Sequence, residues 1–469
     1  MIASAHPVDS IVIGAGISGL AAAHGLRQRA VACAILDAGA DAGGVIGSRR
    51  RDGFLYERGP NSTLDTTPLI AALLRDLGIE DERVDAGPLA ATRYIVRGGT
   101  LVALPNSPGA FLATPAFTLA AKLRLLGEPF IAPTPAGVEE SIAAFVRRRL
   151  GTEFLDYAID PFVAGIYAGD PERISVMAAF PRLLALEQRY GSLIKGQILG
   201  ARERREARAV AKNTAQSFSF RGGMQTLTNA LATAVAPIEQ RSSVLRIARD
   251  DEGCFVIDGM RDGRPLSRRA RSVVLAVPAS AAAAMIGDLA PDAASALHDV
   301  EYAPIAVVAS AYRRSDIAHS LAGFGFLVPR REQRDILGCL FSSSMFEGRA
   351  PESAALLTTF SGGRRNPGIV ATSDDSVAAT VRRELAALLG AGGPPLWQEV
   401  VRWPRAIPQY DIGHLTRLRR IEAAENAVPG LFFCANYRGG VAVGDCIKNG
   451  SATAAQVAAF VAGGIPTTV

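Results

Sequence analysis

Cysteine pairing is the first thing missing. Cys33, Cys254, Cys339, Cys434 and Cys446 are odd in number and none stands in a C-x-x-C pair, which excludes a disulfide framework and a cysteine zinc site and fits a reducing compartment. His6, His24, His298, His319 and His414 form no cluster either. No metal is expected, and protein acid–base or nucleophilic chemistry is not the expected centre of the mechanism. Aromatics are only 6% of the chain, too few to interleave with the arginine patches Arg147–Arg149 and Arg202–Arg208 as base-stacking platforms. Nucleic acid is therefore not expected as a partner despite a formal charge of +5. The patches remain readable as solvated helix faces, or as attraction for anionic headgroups or a carboxylate-bearing substrate. No apolar run reaches the roughly 18 residues of a spanning helix, and the opening MIASAHPVDS has neither a basic n-region nor an apolar h-region. A cytoplasmic chain that does not cross a membrane is the expectation.

What is present begins with size and an apolar lean. A chain of 469 residues is long for one core, so two or three lobes are expected, with a site between them. Charged residues are 20%, below the usual share of about 25%. From Gly109 to Pro135 the stretch GAFLATPAFTLAAKLRLLGEPFIAPTP alternates apolar blocks with proline and isolated charges at Lys122, Arg124 and Glu128. Two readings are open: a segment lying in a membrane surface and pinned by its basic residues, or a core helix of a helical lobe.

The order of segments suggests an α/β fold. SIVIGAGISGLAAAHGLRQR (Ser10–Arg29) reads as strand, glycine turn and helix, and VACAILDA (Val31–Ala38) as a second strand. A helix-rich region runs from about Pro105 to Arg208. After Phe220, RGGMQTLTNALATAV, SSVLRIARD, CFVIDGM and SVVLAVPAS suit a sheet beside the first lobe. Between Val300 and Trp403, strand-like pieces surround one amphipathic helix, SVAATVRRELAALLG. The tail returns to strand, glycine turn and long helix. The expected boundaries are 1–85, 216–297 and 405–469 for a Rossmann-like nucleotide-binding domain in three parts, 86–215 for a helical membrane-associating lobe, and 298–404 for a mixed-sheet substrate domain.

Gly14, Gly16 and Gly19 carry the first chemical signal. The first glycine allows the tight turn, the second admits a pyrophosphate to the backbone, and the third lets the helix pack on the strand. Asp37 closes the second strand, where a carboxylate can accept from a ribose diol; the alternative is a solvated loop aspartate. Gly43 and Gly44 then allow the chain to fold back over an adenylate. YERGPNS places Glu57, Gly59 and Pro60 on a turn suited to a flavin edge, which favours FAD over NAD. In ANYRGGVAVGDCIKNGSATA (Ala435–Ala454) a glycine pair, Gly439 and Gly440, leads into a helix expected to begin at about Val443. The positive end of that helix would oppose charge gathering on a reduced isoalloxazine.

With YERGPNS, AGDPERIS, GFGFLVP, RAIPQYDIGH and YRGGVAVGDCIKNG beside that fingerprint, the sequence resembles the protoporphyrinogen oxidases, a branch of the flavin amine oxidases, over nearly its full length. The resemblance implies an FAD-binding domain of the two-dinucleotide type and oxygen-using oxidation of a porphyrinogen in haem biosynthesis. It further implies release of hydrogen peroxide and peripheral association with the cell membrane, and the expected chemistry is hydride transfer from a methylene bridge to flavin N5. Carried over by position, the implied FAD contacts are Gly14, Ala15, Gly16, Ile17, Ser18, Gly19, Asp37, Ala38, Gly44, Val45, Gly59, Pro60, Asn61, Ser62, Val244, Asn436, Val441, Ala442 and Val443. Arg93 falls where the family aims an arginine at a substrate propionate, the alternative being a surface strand arginine. Leu327, Leu340 and Phe360 fall on residues packing against the macrocycle, and Gly165 on a glycine beside the reacting bridge. Three departures stand out: Asp37 where glutamate is usual, Val45 where a larger residue is frequent, and Ala435 in place of a frequent glycine.

Other readings remain at this point. A coproporphyrinogen oxidase of the same fold would differ in accommodating four carboxylate tails. A monoamine-type oxidase would want an aromatic pair at the flavin, which Tyr437 alone does not make. A membrane-bound FAD protein without turnover is the third. Whether the chain forms a homodimer is left open by the sequence.

Overall fold

The computed structural model describes residues 7–135, 137–206 and 215–463. Two seven-stranded sheets organise it. In the first, Val8–Ile13 lies between Cys33–Leu36 and Arg264–Leu275 and runs parallel to both, with Ser10 opposite Cys33 and Ser272. Ile238–Glu239 extends the sheet on one side, and Leu431–Phe433 pairs in parallel with Val273–Leu275 on the other. The front half of Arg264–Leu275 instead turns into an antiparallel ribbon with Phe255–Arg261 and Ser242–Arg249. Ile11 and Ile13 point into one core and Val12 into the other, all essentially inaccessible. Helices cover both faces, which is why this strand reads as an unbroken apolar run rather than an alternation.

The second sheet is mixed. Its order is Trp397–Pro408, Tyr302–Arg313, Ala354–Gly362, Gly338–Leu340, Gly325–Leu327, Arg93–Arg97 and Thr100–Ala103. Arg93–Arg97 runs parallel to Gly325–Leu327, and the other pairings are antiparallel. The amphipathic helix Asp374–Leu389 buries Val377, Val381 and Leu385 against Ala306 and Val308 on one face. On the other face Ile305 and Val307 meet Ala164 and Ala168 of the helical lobe.

Several expectations need correcting. Residues 86–215 are not helical throughout, because Arg93–Arg97 and Thr100–Ala103 complete the edge of the second sheet. Gln225–Val235, grouped with sheet segments in the sequence, is a helix whose Leu227, Leu231 and Val235 pack under the first sheet. Glu57 is not on a turn: it ends the buried strand Phe54–Glu57, where its carboxylate pairs with Arg349 at 3.0 Å and accepts from Ser48 Oγ at 2.5 Å. A buried charge keeps such partners because desolvation without them is costly.

Within the Gly109–Pro135 stretch, Leu119–Arg124 is a short helix running into the tighter turn Leu125–Phe130. Its charges are taken up by the lobe itself. Lys122 Nζ donates to the carbonyls of Leu112 and Thr114, Arg124 donates to the Arg148 carbonyl, and Glu128 is fully buried against Arg149. Leu119, Leu126 and Phe130 remain outside at 70%, 71% and 88% exposure, together with Arg124, while Phe117 and Ala121 are buried. Among the described residues no helix is long and apolar enough to cross a membrane. The expected arginine run Arg202–Arg208 lies partly outside the described residues.

Candidate nucleotide and substrate site

The three N-terminal glycines divide their work. A methyl group on Gly14 (φ +106°) would sit 2.5 Å from the Ala276 carbonyl oxygen, and one on Gly19 would sit 1.9 Å from that of Gly14. These two are required by strand–turn–helix packing. Gly16 has nothing within 4 Å of the same position, so its absent side chain leaves open space in front of the helix Ile17–Gln28. That helix has no side-chain cap and no acid in its first turn. Thr67, Ser107, Thr118, Ser141, Ser175 and Ser373 each cap a helix elsewhere in the fold. An uncapped N-terminus facing open space suits an anionic group such as a pyrophosphate.

The surrounding loops border the same space. Asp37 Oδ2 accepts from the Ala15 N–H at 2.6 Å and Oδ1 from Gly39 at 2.7 Å, so this short acid is steadied by the glycine turn; a carboxylate has further lone pairs for a diol. Gly43 pairs with Gly16 as an isolated bridge, its N–H donating to Ala15 at 2.8 Å. Ala38, Gly44 and Val45 are left exposed. Gly59 crosses Val45 so closely that a methyl there would lie 2.2 Å from the Val45 carbonyl oxygen. Pro60, Asn61 and Ser62 follow half-buried, with the Asn61 amide donating to the Gly59 carbonyl. Val244 stands two residues past Ser242, whose N–H donates to the Asp37 carbonyl at 2.7 Å.

The C-terminal glycine turn arrives at this place through one helix crossing. Gly25 and Gly450 let Ile17–Gln28 and Val443–Val461 pass with almost no side chain between them. A methyl on Gly450 would lie 2.7 Å from Ala21 Cβ and 3.0 Å from the Ser18 carbonyl oxygen, and one on Gly25 would lie 2.7 Å from Ala454 Cβ. Residues 18–22 meet 450 and residue 25 meets 454, so the helices run in the same direction and present their N-termini on one side. The second helix starts at Val443, its N-cap Ala442 exposed and without a side-chain cap. Asn436 and Val441 are half-buried just ahead of it. The residues present therefore fit a nucleotide whose two ends are both electron-rich.

Sheet register assembles a second surface. Leu327, Gly338 and Phe360 lie opposite one another across three strands, and Leu340, two residues from Gly338, shares their face. All three side chains are half-buried. Gly165 in the helix Asp160–Tyr167 backs onto this face, where an added methyl would lie 3.0 Å from Leu327 Cδ2. Arg93 sits in the Leu340 row through Gly325. It is exposed, its guanidinium 5.1 Å from the centre of the Phe324 ring, and it has no carboxylate partner among the described residues. The two surfaces touch. Trp403 Nε1 donates to the Arg58 carbonyl beside Gly59 at 2.8 Å, and Val441 packs with Tyr167 and Tyr410.

Residues that sequence reasoning left without a role hold this junction. Tyr410 and His414, both inside the quoted RAIPQYDIGH, are buried and stacked at 4.3 Å. Burial pushes the His414 imidazole down to about 4, against a raising hydrogen bond from Nε2 to the Tyr437 carbonyl at 2.9 Å. Tyr437 is fully buried in the core of the first sheet, so that turn supplies no aromatic pair. Among the described residues no group of side chains could hold a metal ion.

Two helix starts converging from opposite ends of the chain, beside a sheet-built apolar wall, fit a dinucleotide-binding oxidoreductase. The chain belongs to the family of flavin-containing amine oxidoreductases, whose model matches residues 17–458. It is 34% identical to the mitochondrial protoporphyrinogen oxidase of Nicotiana tabacum, over 96% of this chain and 94% of that one. It is 28% identical to the coproporphyrinogen III oxidase of Bacillus subtilis, over 96% and 98%. A solved structure from Exiguobacterium sp. 255-15 superposes on 97% of this chain and 99% of its own, with a TM-score of 0.80 at 25% identity.

Proposed function

We propose that this chain oxidises protoporphyrinogen, with FAD held along the Gly16, Asp37, Gly44–Val45, Gly59–Ser62 and Val441–Val443 border and the porphyrinogen on the Leu327, Leu340 and Phe360 face. The observation that carries the reading is the pairing of an unpartnered arginine with an apolar face beside the nucleotide groove. Such a surface fits a large apolar ring bearing carboxylate tails. When bound, FAD supplies a two-electron acceptor for a carbon-bound hydride, and oxygen is the proposed final acceptor.

The chain's own contribution is orientation and electrostatics. Arg93 grips a carboxylate, the wall fixes the ring plane, and Gly165 makes room for Leu327 to pack against the helix. The start of Val443–Val461 presents the positive end of a helix, with Asp445 in its first turn, where negative charge would gather. Protons are left to the substrate's own pyrrole nitrogens and to water, since His414 is buried and turned to a carbonyl.

Bleaching of bound flavin by substrate under anaerobic conditions tests turnover, and a flavin that stays oxidised would refute it. Oxygen consumption with protoporphyrinogen and with coproporphyrinogen separates the two chemistries of the similar proteins. A preference for the tetracarboxylate would move the assignment to the second.

The exposed Leu119, Leu126 and Phe130 support peripheral seating of the helical lobe on a membrane, in a cytoplasmic protein, by apolar insertion. Vesicle co-sedimentation that is insensitive to replacing these three with serine would remove that part of the reading. The same reading assigns 1–85, 216–297 and 405–469 to cofactor binding and 298–404 to substrate, with Arg93–Arg97 joining the latter.

A further inference from the structure

The segment Gln409–His414 belongs to a motif from the sequence that the proposed function does not use, yet it is wired to both surfaces. Tyr410 Oη donates to the Asn436 carbonyl at 2.7 Å and accepts from the Gly440 N–H at 3.0 Å, spanning the glycine turn from one end to the other. That turn needs such a brace. Gly439 and Gly440 hold φ of +74° and +125°, and a turn of two glycines is conformationally loose unless something outside it fixes its ends. His414 adds a second tie by stacking on Tyr410 and donating from Nε2 to the carbonyl of Tyr437 inside the same turn.

The preceding residue faces the other way. Gln409 Nε2 donates to the Tyr167 carbonyl at 2.8 Å, at the C-terminal end of the helix that carries Gly165. The Tyr410 ring also lies 5.6 Å from that of Tyr167, and its carbonyl accepts from Ser175 of the helical lobe at 2.8 Å.

We propose that Tyr410 is a positioning residue, which fixes the Asn436–Gly440 turn so that Val443–Val461 meets the flavin correctly, while Gln409 ties that turn to the substrate-side helix. This rests on the FAD assignment above. It says something that assignment does not, namely that flavin affinity and substrate seating are set separately by two adjacent buried residues, each acting through the backbone it holds.

Tyr410→Phe keeps the ring and its stack and removes both hydrogen bonds. Titration of the apoprotein with FAD should show a dissociation constant raised about tenfold, the equivalent of one net hydrogen bond. The reduction potential of the bound flavin should shift, and the Michaelis constant for protoporphyrinogen should stay unchanged. Gln409→Leu should do the reverse, raising that Michaelis constant while leaving FAD affinity as in the parent. Thermal unfolding of both variants checks that they are folded.

A folded Tyr410→Phe protein with parental FAD affinity and potential overturns the proposal, as does a Gln409→Leu variant that loses flavin to the same degree as Tyr410→Phe. If the parent chain itself takes up no FAD, the assignment above fails first and takes this proposal with it. The parental titration therefore separates the two failures.

Discussion

The two sheets build their surfaces from different materials. Around the first, the groove is made by what side chains leave out: Gly14 and Gly19 pack against carbonyls, Gly16 faces open space, and Gly25 and Gly450 bring two helices together. On the second, the surface is made by what side chains put in: Leu327, Leu340, Phe360 and Arg93, spread over four strands. A site of the first kind tolerates no added atom, whereas one of the second tolerates exchange of one side chain for another of similar shape. Substitution should therefore break the first half by unfolding or flavin loss and the second by weaker substrate binding.

The sharpest break is expected where the halves join. Glu57, from a hairpin whose Phe54 and Tyr56 pack on the second sheet while its own carboxylate accepts from the Met224 N–H on the side of the first, and Arg349, from the loop before Ala354–Gly362, are each 3% exposed and paired. Burial pushes the Glu57 carboxyl up, and the arginine, Ser48 and the Met224 N–H pull it back. Glu57→Leu alone leaves the guanidinium buried without its partner and should cost about 3–5 kcal/mol in a denaturant titration. Glu57→Leu with Arg349→Leu should recover part of that loss. Equal losses in the single and double variants would mean that the pair is not coupled.

His414 gives the next effect, and it appears only in acid. Its folded-state value, near 4, lies below the ordinary 6.5 because burial disfavours the charged ring. The unfolded chain thus takes up the proton first on acidification. The associated stability is complete above about pH 6.5 and is lost as pH falls toward 4, by up to about 3 kcal/mol. His414→Phe keeps a ring against Tyr410 and should flatten this part of the stability–pH curve. A variant whose curve falls as steeply as the parent's between those limits would place the titration elsewhere.

Overpacking the helix crossing tests the first half directly. Gly450→Leu has to displace backbone at Ser18 and Ala22, so a loss of about 1–3 kcal/mol is expected, along with release of flavin on gel filtration. Leu340→Met, a volume-conserving change on the second sheet, should retain the flavin and lose little stability. Flavin loss in Leu340→Met, or its retention in Gly450→Leu, would reverse the contrast.

The same contrast explains what the sequence disclosed. Glycine requirements leave residues at fixed spacing next to a strand and a helix, so Gly14, Gly16, Gly19 and the helix start at Val443 could be read from local pattern. Nothing local announces that Leu327 and Phe360 flank Gly338, because that depends on the register of three separate strands joined by loops. Arg93 is harder still: its strand enters the second sheet from a region that reads as helical, and only family likeness picked it out. Glu57 misleads for the opposite reason, since a charged residue before R-G-P has the look of a turn, and only its pairing with Arg349 accounts for its burial at the end of a strand. Tyr410 and His414 were visible as a motif, but a brace across a distant turn has no signature of its own.

Arg93 carries the smallest predicted effect and the most direct bearing on the substrate. It has no carboxylate of its own to satisfy, so removing it leaves no buried charge behind, and stability should hardly change. An arginine that grips a carboxylate tail remote from the reacting carbon holds the ground state and the transition state alike. Arg93→Ala should therefore raise the Michaelis constant for protoporphyrinogen about tenfold while leaving turnover near the parental value. Arg93→Lys, a point charge without the planar fork, should recover part of the loss. Equal loss in both constants would mean that Arg93 acts on the reacting centre, and no change in either would leave it a surface arginine resting on Phe324.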